Sequence, residues 1–301
     1  MAISRQQLAK ELEPGLNALF GLEYQNYENQ HTEIFEIENS DRAFEEEIML
    51  SGFANASVKP EGSAVSFDSA NETFTARYTH ETIALAFSIT EEAIEDNLYD
   101  SIAKRYTKAL ARSMANTKQV KAANVLNNAF NSSFKGGDEK ELCATDHPTI
   151  AGTFKNELST SADLNETSLE QALIDIAAMT DERGLKIAAR GVKMIIPSEL
   201  QFTAERLMKT ANRVGTADND INAIASKGMI PQGYVVNNYL TDTDAFFIKT
   251  DIPNGLKMFN RAALKTAMEG DFDTGNVRYK ARERYSFGFS DPRGIFGSPG
   301  A

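Results

Sequence analysis

The most constraining feature of this sequence is one long helical pattern between Ser88 and Ser133. Ile94, Leu98, Ile102, Tyr106, Leu110 and Met114 recur every fourth residue, and Ala122, Leu126 and Phe130 resume the stripe after a slip. Ser88-Ile89-Thr90-Glu91 fits a capping box, and Glu91, Glu92 and Glu95 suit a helix N-terminus. No glycine or proline lies between Gly62 and Gly136. At 1.5 Å per residue, a helix of ~40 residues is about 60 Å long. That exceeds the diameter of a compact domain of this mass, so one end must lie along something outside a compact core. Gly136-Gly137 is the expected stop.

Before this helix the chain reads as an exposed ribbon. Leu8, Leu12, Leu16 and Phe20 suggest a short amphipathic helix, interrupted at Pro14-Gly15. Residues 24 to 52 look extended or irregular, with an acidic run at Glu45, Glu46 and Glu47. Val65 and Phe67 alternate with polar residues, Ser69-Ala70-Asn71-Glu72 reads as a turn, and Phe74, Ala76 and Tyr78 alternate again, followed by Ile83, Leu85, Phe87 and Ile89. A ribbon with so few large residues at its tip cannot bury much by itself. It needs a second surface, in this chain or a neighbour.

After the helix the pattern becomes mixed α and β. A polar loop spans 136–166. Thr167-Ser168-Leu169-Glu170 caps a second helix, with Leu169, Leu173, Ile176 and Ala177 on one face. Lys193–Ile196 is a short buried strand, and Pro197-Ser198-Glu199 opens a third helix with Leu200, Ala204, Leu207 and Met208 inward. Residues 214–222 form a glycine- and aspartate-rich loop. Strands are expected at 233–240, 245–250 and 256–260. A long last strand at 276–289 places Val277, Tyr279, Ala281, Glu283, Tyr285 and Phe287 on one face. No internal repeat or low-complexity segment is present.

Composition excludes several classes. The 301 residues are 42% hydrophobic, enough to bury a real core. No apolar run approaches the ~20 residues of a spanning helix. Glu11 and Glu13 stand where a signal peptide needs an apolar stretch, so synthesis and first residence in a cytoplasm are expected. On that reading the sequons at Asn55, Asn71, Asn131 and Asn165 carry no meaning. A net charge of -12 argues against a protein that grips the DNA backbone. Cys143 is the single cysteine, which excludes an intrachain disulfide and a cysteine-based zinc site.

The search for chemistry returns mainly absences. There is no P-loop (Gly228 to Gly233 has the spacing but leads into Tyr234), no dinucleotide fingerprint, no nucleophile elbow and no HExxH. Cys143 and His147 are the one nucleophile–base pairing on offer. Pro148 makes this segment a loop, and a turn in which Asp146 and His147 bond to backbone is the favoured reading. His80 alternates with Tyr78 and Thr82 and is expected at the surface. Glu45–Glu47 is read as a solvated face rather than a cation site. Arg282 and Arg284 fall on one strand face and Glu283 on the other. An ion-pair ladder, within or between subunits, is favoured there over a phosphate site. No catalytic, cofactor-binding or metal-ligating residue is assigned, and no cofactor is expected.

Three stretches carry a family resemblance: Thr145-Asp146-His147-Pro148; Met194 to Leu200 with Ala204 and Leu207; and Arg282-Glu283-Arg284-Tyr285 through Gly288–Gly294 to Gly297–Ala301. Together they resemble the major capsid proteins of tailed bacteriophages, including the major head subunit of Mu-like phages, over residues 40 to 301. The resemblance implies an α+β, HK-97-like capsid fold. Its parts would be an N-terminal arm and lead-in (1–57), an extended E-loop hairpin (58–87), a peripheral domain with a spine helix (88–166), an α/β axial domain (167–270), and a return strand with tail (271–301). It further implies a non-enzymatic head subunit that assembles into pentamers and hexamers, forming an icosahedral virion shell around packaged double-stranded DNA. Assembly would occur in the host cytoplasm, away from membranes. Partners would be copies of itself, a portal, a separate scaffolding protein and in some cases a decoration protein. The hairpin begins near residue 60, which leaves no room for the long N-terminal scaffolding segment of some members. Lys59 has no recognisable asparagine partner or catalytic glutamate, so a non-covalent shell is expected. The rival readings are an encapsulin-like compartment shell of the same fold, an α/β enzyme with its site near Ile196-Pro197, and a phage structural protein outside the head.

Overall fold

A computed structural model describes residues 5–90, 92, 99–213, 220–271 and 275–301, without the side chains of 5–12 and 99–102. The expected positions Leu8, Leu12, Glu91, Ile94, Glu95, Leu98 and Ile102, and most of loop 214–222, fall outside it.

Two sheets organise the chain. The longer comprises β1 (Glu36–Asn39), β4 (Glu81–Ile89), β10 (Leu256–Gly270) and β11 (Val277–Phe289), in the order β1-β10-β11-β4. On β11 the alternation is as expected: Tyr279, Ala281, Glu283 and Tyr285 are buried on one face. Against that face lie α1 (Arg5–Gln25) and α2 (Tyr99–Asn127). Leu16 and Phe20 of α1 meet Leu110, Ala111 and Met114 of α2 and Tyr279 of β11 in one core cluster.

Two helix expectations are corrected. α1 runs through Pro14 instead of breaking there. Burying Leu16 and Phe20, at about 2–3 kcal/mol each, offsets the ~3 kcal/mol cost of an interior proline. α2 stops at Asn127, short of Ser133 and of Gly136-Gly137. Asparagine side chains end it: Asn128 Nδ2 donates to the Asn124 carbonyl, Asn131 Nδ2 to Asn128 Oδ1, and Ser133 N–H to Asn131 Oδ1. Its 29 described residues span about 44 Å, and the expected N-terminal turns lie outside the described residues. Ser88 and Ile89 end strand β4 instead of opening a cap.

The second sheet has the order β12-β9-β7-β8, built from β7 (Gly191–Ile196), β8 (Tyr234–Val236), β9 (Phe246–Thr250) and β12 (Ile295–Ser298). Strand β7 runs parallel to β8 and antiparallel to β9. Helices α3 (Glu166–Ala178), α4 (Gln201–Lys209) and α5 (Ala223–Lys227) pack around it through Leu169, Ala172, Ile176, Ala204 and Ile224. The α3 cap sits two residues earlier than expected. Asn165 Oδ1 accepts from Ser168 N–H, and Ser168 Oγ accepts from Asn165 N–H, each at 2.9 Å. Ala172, not Ala177, completes its buried face.

Three strand expectations also change. β8 covers only part of 233–240. β10 runs ten residues past Asn260 and pairs with β11 along that length, through two register shifts. The tail forms β12, with Phe296 fully buried. A short hairpin, β5 (His147–Thr149) and β6 (Gly152–Phe154), lies in the loop after α2.

Candidate assembly surfaces

The ribbon is real, but its partners differ from those the alternation suggested. β2 (Phe44–Leu50) pairs antiparallel with β3 (Glu72–Thr79). The acidic run at Glu45–Glu47 is therefore one of the two strands. Residues 51–71 form a strandless tongue between them. Ser51 N–H donates to the Asn71 carbonyl at 2.9 Å and closes its neck. The turn falls at Pro60–Ser63, not at 69–72: Ser63 N–H reaches the Pro60 carbonyl, and Gly62 takes a positive φ of 77°. Asp68 accepts from Ala54 N–H at 2.8 Å across the tongue. Arg183 donates to the Ser69 carbonyl at 2.6 Å and tethers its base. The tip buries almost nothing: Phe67 is 99% and Val58 94% exposed, with Phe53 and Val65 also out. On β2, Phe44, Ile48 and Leu50 face solvent as well.

The ribbon's other side is anchored. Tyr78 packs edge-on against Phe259, with centroids 4.8 Å apart, and its hydroxyl meets Ser290 Oγ at 2.5 Å. Gly288 makes room for it, since a Cβ there would lie 2.8 Å from the ring. Lys257 pairs with Glu38 at 2.9 Å and with Glu47. A groove of about 590 Å³ lies beside the ribbon, between β3, α2 and the end of β11.

His80 is the single residue between β3 and β4, where the chain passes from ribbon to long sheet. It is buried, which corrects the surface expectation. Its Nε2 lies 2.9 Å from Ser40 Oγ and its Nδ1 3.0 Å from Ser286 Oγ. Ser40 Oγ donates to Glu45 at 2.7 Å, so it accepts from Nε2–H. Burial and then the Arg284 charge lower the His80 pKa. Alternation placed it outward, but sequence gave no sign that Ser40 and Ser286 would close over it.

Cys143 and His147 are not joined as nucleophile and base. Both His147 ring nitrogens are taken, Nδ1 by Asp138 Oδ2 at 2.6 Å and Nε2 by Asn156 Oδ1 at 3.0 Å. These are side-chain partners, where backbone ones were expected. Asp146 instead pairs with Lys140 at 2.6 Å. Burial pushes the Cys143 thiol pKa up, away from thiolate. Asn156 Nδ2 also donates to the carbonyls of Leu142 and Pro292, tying this loop to the C-terminal segment.

Glu283 points inward as expected and meets Lys118 of α2 at 2.5 Å and Tyr24 OH at 3.2 Å. Burial raises its pKa against the pull of Lys118. A second buried pair, missed in sequence, joins Arg293 to Glu182 at 2.6 Å. Among the described residues no cluster of His, Cys, Asp or Glu has the makings of a metal site, and no helix is long and apolar enough to cross a membrane.

The sequence profile described as phage capsid protein matches residues 72–297, which is most of the chain. This chain belongs to the phage capsid protein family. It is a shell-forming major capsid protein, and its mixed helix-and-sheet architecture is the HK-97-like fold. Among solved structures, the capsid of an empty GTA particle aligns with a TM-score of 0.59 at 14% identity, covering 90% of each chain. The capsid of the cyanophage P-SCSP1u aligns at 0.58 and 12% identity, covering 89% of this chain and 86% of that one. A virus-like particle from Pyrococcus furiosus aligns at 0.55 and 12% identity, covering 94% and 97%. Comparison with curated protein sequences returns no match. At such identities the fold is shared while the surface chemistry is this chain's own. As a capsid protein the subunit is structural and associates with copies of itself in a virion shell.

Proposed function

We propose that copies of this subunit form pentamers and hexamers that close into an icosahedral head around packaged double-stranded DNA. The subunit itself does no chemistry. The observation that carries this reading is the tongue 51–71, whose Phe53, Val58, Val65 and Phe67 lie in water on a member of a capsid family. Exposed apolar side chains on a projecting element mark a surface that is covered in the assembly. On this reading, β2, β3 and the tongue are the E-loop, shifted toward the N-terminus of the expected 58–87. α2 is the spine helix of a peripheral domain that also holds the long sheet. Helices α3 to α5 with β7 to β9 form the axial domain. On the same reading the peripheral domain takes in β10, which pairs with β11 from Leu256 onward, and the axial domain comes before it.

Assembly takes place in the host cytoplasm, with a separate scaffolding protein and a portal as partners, and the shell is non-covalent. Electron microscopy of purified subunit, alone and co-expressed with its scaffold, tests the proposal. Closed shells or ring-shaped capsomers are expected, and a permanently monomeric subunit overturns it. A ladder of multimers on denaturing gels would contradict the non-covalent shell. The likeness to a virus-like particle favours one second reading, a compartment shell. Particles that hold enzyme rather than DNA would establish it.

A further inference from the structure

The His80 ring ties together both places where the chain passes between long sheet and ribbon. The chain leaves β1 for β2 through residues 40–43 and returns from β3 to β4 through His80. Nε2–H of His80 donates to Ser40 Oγ on the outgoing crossing, and Nδ1 accepts from Ser286 Oγ on β11, an inner strand of the long sheet. Ser40 is itself fixed. Its N–H donates to the Asn260 carbonyl of β10, and its Oγ also accepts from Arg42 N–H and donates to Glu45 of β2. A second ring proton has no ready place in this arrangement. Ser286 Oγ would have to stop donating and turn to accept. The new charge would arrive beside Arg284 of β11 and Arg261 of β10, with Glu45 of β2 as the opposing anion. Arg42 already draws on Glu45 at 4.0 Å, and Glu81, next in the chain, is paired with Lys121 of α2. The Nε atoms of Arg261 and Arg284 are buried without a hydrogen-bond partner, so both guanidiniums are already short of contacts. Burial disfavours the charged ring in the same sense.

We propose that His80 is an acid-sensitive clamp on the ribbon root: the neutral ring locks both crossings to β11, and protonation releases them from the long sheet. The clamp is a property of the subunit. Its consequence for the shell, that acid loosens the element through which subunits associate, rests on the reading of the ribbon as an assembly element. Once the root opens, the ring meets water and titrates near the ordinary value of about 6.5. In the clamped state it titrates lower, because of burial and then Arg284. The clamp is therefore complete above about pH 6.5. Below that, the ratio of released to clamped root rises by up to about tenfold per unit of pH, until the clamped ring also takes its proton. Tyr78 on Phe259 and Lys257 on Glu47 still hold the ribbon further out, so release is a rare local opening rather than a swing of the whole ribbon.

Amide hydrogen exchange of the full chain, expressed as protection factors so that the intrinsic acid dependence drops out, reads this opening. Protection of residues 40–50 and 72–80 should fall below about pH 6.5, by up to about tenfold per unit. His80→Gln, which keeps a donor and an acceptor but does not titrate, should abolish the fall. Arg284→Gln removes a neighbouring cation and should shrink the total fall, whereas Glu45→Gln removes the opposing anion and should enlarge it. If His80→Gln does not fold, these two variants carry the test by their opposite directions. His31 is a second histidine whose pKa is lowered, and it lies against Gln119 of α2 rather than at the root. His31→Gln should leave the fall unchanged. Protection that is flat in acid overturns the clamp, and so does a fall that survives His80→Gln. A fall removed by His31→Gln assigns the opening to global unfolding and overturns it too. Particle yield at about pH 7.5 and 5.5 separates the two levels. Acid should cut the yield of wild type more than that of His80→Gln. A subunit that never forms shells overturns the ribbon reading, while the exchange slope would still establish the clamp.

Discussion

Lys118 of α2 and Glu283 of β11 meet at 2.5 Å, with their side chains 15% and 2% exposed, and this pair fastens the long helix to the long sheet. A nearly buried carboxylate depends on its partner. Lys118→Met should therefore destabilise the subunit by about 3–5 kcal/mol. Replacing both residues, Lys118→Met with Glu283→Leu, should cost much less, because no charge is stranded. Chemical denaturation of the two single variants and the double variant checks this as a thermodynamic cycle.

Arg293 and Glu182 make a second test of the same physics in a different place. Arg293 also donates from Nε to the Thr180 carbonyl at 2.8 Å, and its guanidinium lies 4.1 Å from the Phe154 ring centroid. Arg293→Met strands Glu182 and Asp291, and a loss of about 3–5 kcal/mol is expected in urea unfolding. Burial already raises the Asp291 pKa against the attraction of Arg293. Without Arg293 that pKa should rise further, which carbon-detected NMR titration will read.

Acid should weaken the subunit through His31. Burial, with Lys118 adding to it, lowers its pKa to about 4. Gln119 explains the preference for the neutral ring. Its Oε1 accepts from His31 N–H at 3.1 Å, so its Nε2 donates to Nδ1 at 3.0 Å and leaves no place for a second ring proton. An unfolded histidine titrates near 6.5, so the unfolded chain takes up the proton first. Stability from this group is complete above about pH 6.5, falls with acidification and levels off below about 4, for a total near 3 kcal/mol. Unfolding at several pH values should show this slope in wild type and lose it in His31→Gln.

Gly294 and Gly255 touch backbone to backbone. A Cβ at Gly294 would lie 2.3 Å from Gly255 Cα, and no side chain there can move aside. Gly294→Ala is expected to cost about 1–3 kcal/mol. Gly15, with open space around its Cβ position, is the control in the same thermal melts.

The tongue should behave in the opposite way. Phe67→Ser removes a side chain that touches almost nothing in the subunit, so stability should change by less than about 0.5 kcal/mol. Shell yield should nevertheless fall. A large loss of subunit stability, measured by the same melts, would contradict the placement of this residue.

Much of this architecture was legible residue by residue. The alternation of β11, most of the inward faces of α3 and α4, the buried strand at 193–196 and a ribbon unable to bury much by itself all follow from periods of two and of 3.6. Such signals are local, and each residue reports its own face. β10 shows the limit. Ala262-Ala263-Leu264-Lys265 favours a helix by composition, yet these residues form strand because β11 supplies thirteen residues to pair with. The strand partner of 72–79 was hidden for a similar reason, since the acidic segment 44–50 reads as solvated until β3 lies beside it.

The sequence alone settled that this chain carries a ribbon it cannot bury, a long helix and an alternating last strand, because hydrophobic spacing is written in neighbouring residues. Only the tertiary structure decided what became of its ionisable groups. His80 is buried between Ser40 and Ser286, Glu283 is locked to Lys118, and Arg282 stands opposite Lys265. Those outcomes depend on residues tens to hundreds of positions away, and no local pattern encodes which of them arrive.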